Sequence, residues 1–237
     1  MDDLEDFVMR RMPTANRPLL GMTILVVEDS RYACEALRLL CLRSGARIRR
    51  ADSLRTARKH LMVYSPSVVI VDLGLPDGSG ADLIRQLADQ TPRVPVILGI
   101  SGDDGGAAIT MDAGANGFLA KPVGALAEFQ EAVLAHVPRE VRPAGPRPVT
   151  SEEIAPDDLA LRDDLTHAAE LLSGPGERPL GYVAQFVSGL ARSAKDNKLF
   201  DAADSLGTVY AKGDDSAPEA AELAAVIQDR LAASDTL

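Results

Sequence analysis

The chain has 237 residues, 46% of them apolar and 25% charged, with a formal net charge of −10. That is enough chain for one large domain or two small ones with a real core, in the proportions of an ordinary globule. The charge is uneven: residues 150–237 hold 17 acids and 7 bases, a net of −10, and residues 1–149 hold 18 of each, so the C-terminal part repels phosphate backbones rather than attracting them.

No apolar run approaches the roughly 20 residues that cross a bilayer. The acidic start (Asp2, Asp3, Glu5, Asp6) is the opposite of a basic secretory leader, and cytoplasmic residence is the expectation. Residues 1–21 read as a mobile leader punctuated by Pro13 and Pro18. Cys34 and Cys41 stand seven apart in one predicted helix, about 10 Å along its axis, too far for a disulfide; they read as small core residues.

From Met22 the pattern alternates strand and helix. Strand Thr23–Val27 runs into Glu28-Asp29. Ser30 precedes a helix over Ala33–Ser44, stopped by Gly45. A weak strand over Arg47–Ala51 follows, then a helix from Asp52 or Ser53 to Pro66. Val68-Val69-Ile70-Val71 is an unbroken branched apolar run ending at Asp72 and a turn, Leu73-Gly74-Leu75-Pro76-Asp77-Gly78-Ser79-Gly80. Such a run, bounded by turn residues, predicts a strand buried on both faces. Helix Ala81–Asp89, strand Val94–Ile100 into Ser101, a helix opened by Asp103/Asp104, strand Gly117–Ala120 into Lys121-Pro122, and helix Ala125–His136 complete five β/α units. The pattern predicts a five-stranded parallel, doubly wound sheet of the flavodoxin-like kind. Ligand sites in such sheets lie beyond the carboxyl ends of the strands, so the arrangement gathers several carboxylates, a hydroxyl and an ammonium at one edge.

That set suits Mg²⁺, which prefers hard oxygen ligands, and suits phosphoryl transfer, in which cations neutralise the phosphoryl oxygens and a carboxylate can serve as nucleophile. No Walker-type glycine loop occurs, so phosphate must arrive from a partner. Residues 22–137 resemble the receiver domain of bacterial two-component response regulators through Leu25-Val26-Val27-Glu28-Asp29-Ser30, the Asp72–Gly80 turn, Ser101, and Ala113-Gly-Ala-Asn-Gly117-Phe118-Leu-Ala-Lys121-Pro122. The resemblance implies Asp72 as phosphoacceptor from a sensor histidine kinase or a histidine phosphotransfer protein. It implies Mg²⁺ held by Asp29, Asp72 and the Gly74 carbonyl, with Glu28 assisting through water. It implies Lys121 on the phosphoryl oxygens, a cis Lys121–Pro122 bond, and Ser101 and Phe118 as switch residues. No chemistry beyond self-phosphorylation and self-dephosphorylation is expected. Ser101 to Lys121 is shorter than the family's usual spacing, and Gly105-Gly106 weakens the helix start there.

Residues 138–150 are proline-rich and read as a stiff, extended linker. Residues 151–237 show no strand-like run. Apolar stripes on Leu161/Leu165/Ala168/Leu172, Val183/Phe186/Val187/Leu190/Ala194, Leu199/Ala203/Leu206/Tyr210 and Leu223/Val226/Ile227/Leu231 predict a small all-α bundle, with Ser216-Ala-Pro-Glu219 as a capping box. The acidic charge and the missing strands argue against a DNA-binding output. His167 lies off its stripe, and the acid Glu170 follows where phosphotransfer bundles carry a base. A protein-interaction or dimerisation domain, contacting a target or a second copy through Tyr182, Phe186, Phe200 or Tyr210, is the expectation. DNA-binding transcriptional control and a degenerate phosphotransfer-like bundle are the alternatives.

Overall fold

The computed structural model describes residues 12–143, 152–174 and 179–234. Most of the leader, the greater part of the linker, and Pro175-Gly176 after the first stripe of the tail lie outside the described residues.

Five parallel strands form one sheet: β1 (Thr23–Val27), β2 (Arg47–Ala51), β3 (Val68–Asp72), β4 (Val96–Ser101) and β5 (Gly117–Ala120), in the order β2-β1-β3-β4-β5. Alternate residues of a strand point to opposite faces, and the packing follows that period of two. Ile24, Val26, Ile70 and Leu98 pack under α1 (Arg31–Ser44) and α5 (Leu126–Leu134), whose Leu37, Leu40, Phe129 and Val133 are buried there. Leu25, Val27, Val69, Val71 and Ile97 face α2 (Leu54–Val63), α3 (Gly80–Asp89) and α4 (Gly106–Asp112). Both faces are covered, which is why the central strands are continuous apolar runs rather than alternating ones.

Local chemistry sets the helix ends. The Ser30 hydroxyl accepts the Ala33 N–H at 3.0 Å and starts α1; Gly45 closes it at φ 86°, a left-handed conformation that costs glycine little. Of the two candidate caps for α2, Ser53 is the one used, accepting from the Thr56 N–H. α4 begins at Gly106, not at Asp103/Asp104, and runs seven residues. Asp103 and Asp104 instead form the turn before it, where the Asp103 carbonyl accepts the Gly106 N–H at 2.9 Å.

The tail folds as four helices, α6 (Asp158–Ser173), α7 (Leu180–Ala194), α8 (Asn197–Lys212) and α9 (Ala217–Ser234), around Leu165, Ala168, Leu172, Val183, Val187, Leu190, Leu199, Leu206, Leu223 and Ile227. Tyr32 of α1 is buried in the same cluster, so the two parts share a packed seam. The expected capping box of α9 takes a different form: the Ser216 hydroxyl donates to the Asp214 carbonyl at 3.2 Å, and Asp215 accepts from the Ala217 N–H at 3.1 Å. The start of the linker is also less extended than its prolines suggest. Arg139–Val141 forms a 3-10 turn, and the Arg142 guanidinium donates to the Val137 carbonyl at 2.7 Å. On the far side of the linker, Glu153 bridges antiparallel to Ala125. Cys34 and Cys41 are free and buried.

Candidate functional site

Parallel strands of similar register end on one edge, and four of the five ends deliver polar groups there. β1 hands over to Glu28 and Asp29, β3 ends on Asp72, β4 ends on Ser101, and β5 hands over to Lys121, which a cis bond joins to Pro122. One oxygen from each of Glu28, Asp29 and Asp72 lies within 4.8 Å of the others. The Lys121 ammonium sits 2.7 Å from a Glu28 oxygen and 3.1 Å from an Asp72 oxygen. The second Glu28 oxygen accepts the Ser30 N–H at 3.2 Å. Gly74 and Ser101 line the same cavity, whose volume is about 30 Å³.

Burial sets the electrostatics. Desolvation, reinforced by the Asp72 charge, pushes the Glu28 carboxyl well above its usual range against the pull of Lys121. Desolvation raises Asp29 to about 6, opposed by a hydrogen bond from the Tyr182 hydroxyl. Burial alone would depress the Lys121 ammonium, but the facing carboxylates of Asp72 and Glu28 outweigh it and hold its pKa above the ordinary value. Two buried carboxylates and the half-buried Asp29 against one ammonium leave negative charge uncompensated. The hard oxygens of Glu28, Asp29 and Asp72, gathered within 4.8 Å of one another, therefore suit a divalent cation.

A pH dependence follows. In metal-free buffer the folded-state pKa of Asp29, about 6, is raised above its ordinary 3.8. Folding therefore takes up a proton between those values, and the Asp29 contribution to stability falls as pH rises through that window. Urea midpoints should show wild type losing stability relative to Asp29→Asn from about pH 4 to pH 6; a constant difference across that range would contradict the assignment.

Phe118 does not line the cavity. It is half-buried on β5, and its ring packs beside Gly106: a Cβ at Gly106 would lie 2.8 Å from the Ser101 Cβ and 3.2 Å from the Phe118 ring. The glycine that weakens the start of α4 is thus the one that lets Ser101 and Phe118 approach the same spot. Gly105 has open space around it.

The tail supplies groups that the sequence reading left out of the site. Gln185, Phe186, Gly189 and Arg192 of α7 form the outer wall of the cavity, and the Tyr182 hydroxyl donates to Asp29. The Gln185 amide donates to Asp103 at 3.3 Å and lies over Gly74. Asp164 of α6, buried, accepts from the Ser30 hydroxyl at 2.8 Å and from the N–H groups of Arg31 and Tyr32 at 2.9 and 3.0 Å. A signal for Asp164 existed: it falls between Leu161 and Ala168 on the apolar stripe, where an acid needs a partner. Of the other tail residues singled out, Phe186 is buried, Phe200 lies under the Arg192 guanidinium at 4.8 Å, and Tyr210 is exposed. His167 is exposed, its ring 6.0 Å from that of Phe186, and it is not among the residues lining the cavity.

The sequence model of the response regulator receiver domain matches residues 24–134. The transcriptional regulatory protein KdpE of Mycobacterium tuberculosis is 30% identical over 155 residues, 65% of this chain and 68% of that protein. The KDP operon transcriptional regulatory protein KdpE of Escherichia coli is 30% identical over 139 residues; the match spans 59% of this chain and 61% of that protein's length. Among solved structures, the signal receiver domain of a signal transduction histidine kinase from Syntrophus aciditrophicus is 27% identical, covers 50% of this chain and 93% of its own, and has a TM-score of 0.44. Among the described residues no helix is long and apolar enough to cross a membrane. With its acid-rimmed parallel sheet, the match to the receiver-domain family and the identity to KdpE of Mycobacterium tuberculosis, the chain belongs to the two-component response regulators and carries their receiver domain.

Proposed function

We propose that this response regulator is a phosphorylation-controlled switch in which Asp72 accepts a phosphoryl group from the phosphohistidine of a sensor histidine kinase or a phosphotransfer protein. The observation that carries the reading is the convergence of Asp72, Asp29, Glu28, Lys121 and Ser101 on one buried cavity. A carboxylate oxygen of Asp72 attacks phosphorus, the bond from phosphorus to the donor imidazole breaks, and the imidazole nitrogen recovers a proton. Mg²⁺, held by Asp29, Asp72 and the Gly74 carbonyl, supplies charge neutralisation when bound. Lys121, already 3.1 Å from Asp72, pairs with the incoming phosphoryl oxygens, and the Ser101 hydroxyl turns from its Asp103 N–H partner to reach them. Ser101 and Phe118 both crowd Gly106, so a shift at Ser101 is felt at the start of α4. The protein acts as a cytoplasmic phosphoacceptor switch, with turnover limited to loss of its own phosphoryl group.

Treatment with acetyl phosphate and Mg²⁺, followed by intact-mass analysis and peptide mapping, tests this reading. One phosphoryl group on Asp72, labile to base, is the expected result; mapping to any other residue overturns it.

For the output we favour a protein-interaction or dimerisation role for the helical tail, because its net charge of −10 and its four amphipathic helices suit a protein partner better than a phosphate backbone. A second reading, transcriptional control, has support in the KdpE relatives, which are transcriptional regulatory proteins. Mobility shifts on random duplex DNA at low salt separate the two. The interaction reading expects no retained complex, and salt-sensitive binding would favour the second.

A further inference from the structure

The α7 wall has a consequence for every molecule that must reach Asp72. A cavity of about 30 Å³ has room for one or two waters. A donor imidazole and a phosphoryl group need far more room. The residues closing it come from α7: Gln185 over Gly74, Phe186 and Gly189 in the wall, and Arg192 3.9 Å from Asp103. The closure is tied down at two further points. Asp164 caps the N-terminus of α1 through three hydrogen bonds, and Arg31 pairs with Asp163 at 2.5 Å. The Tyr182 hydroxyl takes one of the Asp29 oxygens that a cation would use.

We propose that the helical domain competes within the same chain with the phosphodonor for one surface: the N-terminus of α1 together with the turns after β3 and β4. The kind of partner that fits this surface is a helical protein presenting a histidine, because a helical segment, α7, already lies across it. Docked, α6 and α7 cover Asp72 and hold Asp29; loaded with cation and phosphoryl group, the site excludes them. Linkage makes the exclusion reciprocal: whatever loosens the docked helices favours loading by the same factor, and loading frees the face of α6 and α7 that carries Asp164, Tyr182 and Phe186. The proposal rests on Asp72 being the acceptor and adds how access to it is governed.

The full-length protein tests this without any substitution. The N–H groups of Arg31 and Tyr32 are bonded to Asp164 only while the helices are docked, so their hydrogen exchange reports docking. Loading with Mg²⁺ and beryllofluoride should speed exchange in the segment holding Arg31 and Tyr32 by about tenfold or more. A second arm compares phosphoryl uptake from acetyl phosphate in wild type, Tyr182→Phe and Asp164→Ala. Both variants should be modified about tenfold faster. Unchanged protection on full loading, or uptake at the wild-type rate in both variants while Asp72 is modified, overturns the competition alone. Absence of modification at Asp72 in all three proteins overturns the acceptor reading and this one with it.

Discussion

Replacing Lys121 with alanine should destabilise the folded chain by about 3–5 kcal/mol in metal-free buffer at neutral pH, the usual cost of breaking a buried ion pair from one side. The Lys121, Glu28 and Asp72 side chains are 9%, 0% and 9% exposed, so the ion pair is shielded from bulk water. Its loss leaves Glu28 and Asp72 facing each other, with Asp29 within 4.8 Å. Two controls separate charge from packing. Lys121→Met retains most of the stem and should recover little of the loss. Mg²⁺ should narrow the gap between variant and wild type, because carboxylates left without the ammonium attract a cation more strongly. The gap should also narrow as pH falls, because the orphaned Glu28 carboxyl, which burial holds above its ordinary range, then binds a proton. Urea unfolding measures all of these; a loss below about 1 kcal/mol would mean that the pair is solvated and the pocket open.

Gly80→Ala should be about as damaging, for a steric reason. A Cβ at Gly80 would stand 1.8 Å from the Asp72 carbonyl oxygen, 2.8 Å from its carbon and 3.0 Å from a Val71 methyl. The first two are backbone atoms at the end of β3, so no rotamer change relieves them, and the Gly80 N–H is fixed to the Leu73 carbonyl at 3.0 Å. A destabilisation of about 3 kcal/mol or more is expected, with loss of acceptor chemistry because the Asp72 backbone must move. Gly105→Ala is the contrast: nothing lies within 4 Å of its added carbon and its φ is −80°. It should leave the fold intact or gain about 0.4–1 kcal/mol. Equal denaturation midpoints for the two variants would contradict the geometry.

Gly80 and Gly106 show how far the text of the chain reaches. Gly80 closes a turn that is legible as punctuation after a strand, but that its missing side chain makes way for the Asp72 carbonyl is a fact of packing. Gly106 reads as a helix-weakening residue and turns out to sit between Ser101 and Phe118. Asp164 follows the same pattern. Its place on an apolar stripe marks it as an acid in need of partners, but the partners, at the start of α1, lie more than a hundred residues away.

The sequence by itself determined the sheet and its acid rim. Strand runs, caps and turn glycines are local, and in a parallel sheet every strand ends on the same edge; once the five β/α units are read, Glu28, Asp29, Asp72, Ser101 and Lys121 have to meet. The tertiary structure alone decided that α7 closes that rim and that the Tyr182 hydroxyl rests on Asp29. A hydrophobic stripe states that a helix face is buried, and because the hydrophobic effect has no direction, it leaves open what the face is buried against. Which turn of α7 lies over Asp72 was fixed by the cap at Asp164, the seam at Tyr32 and the pairing at Asp103, contacts that exist only after both parts of the chain have folded.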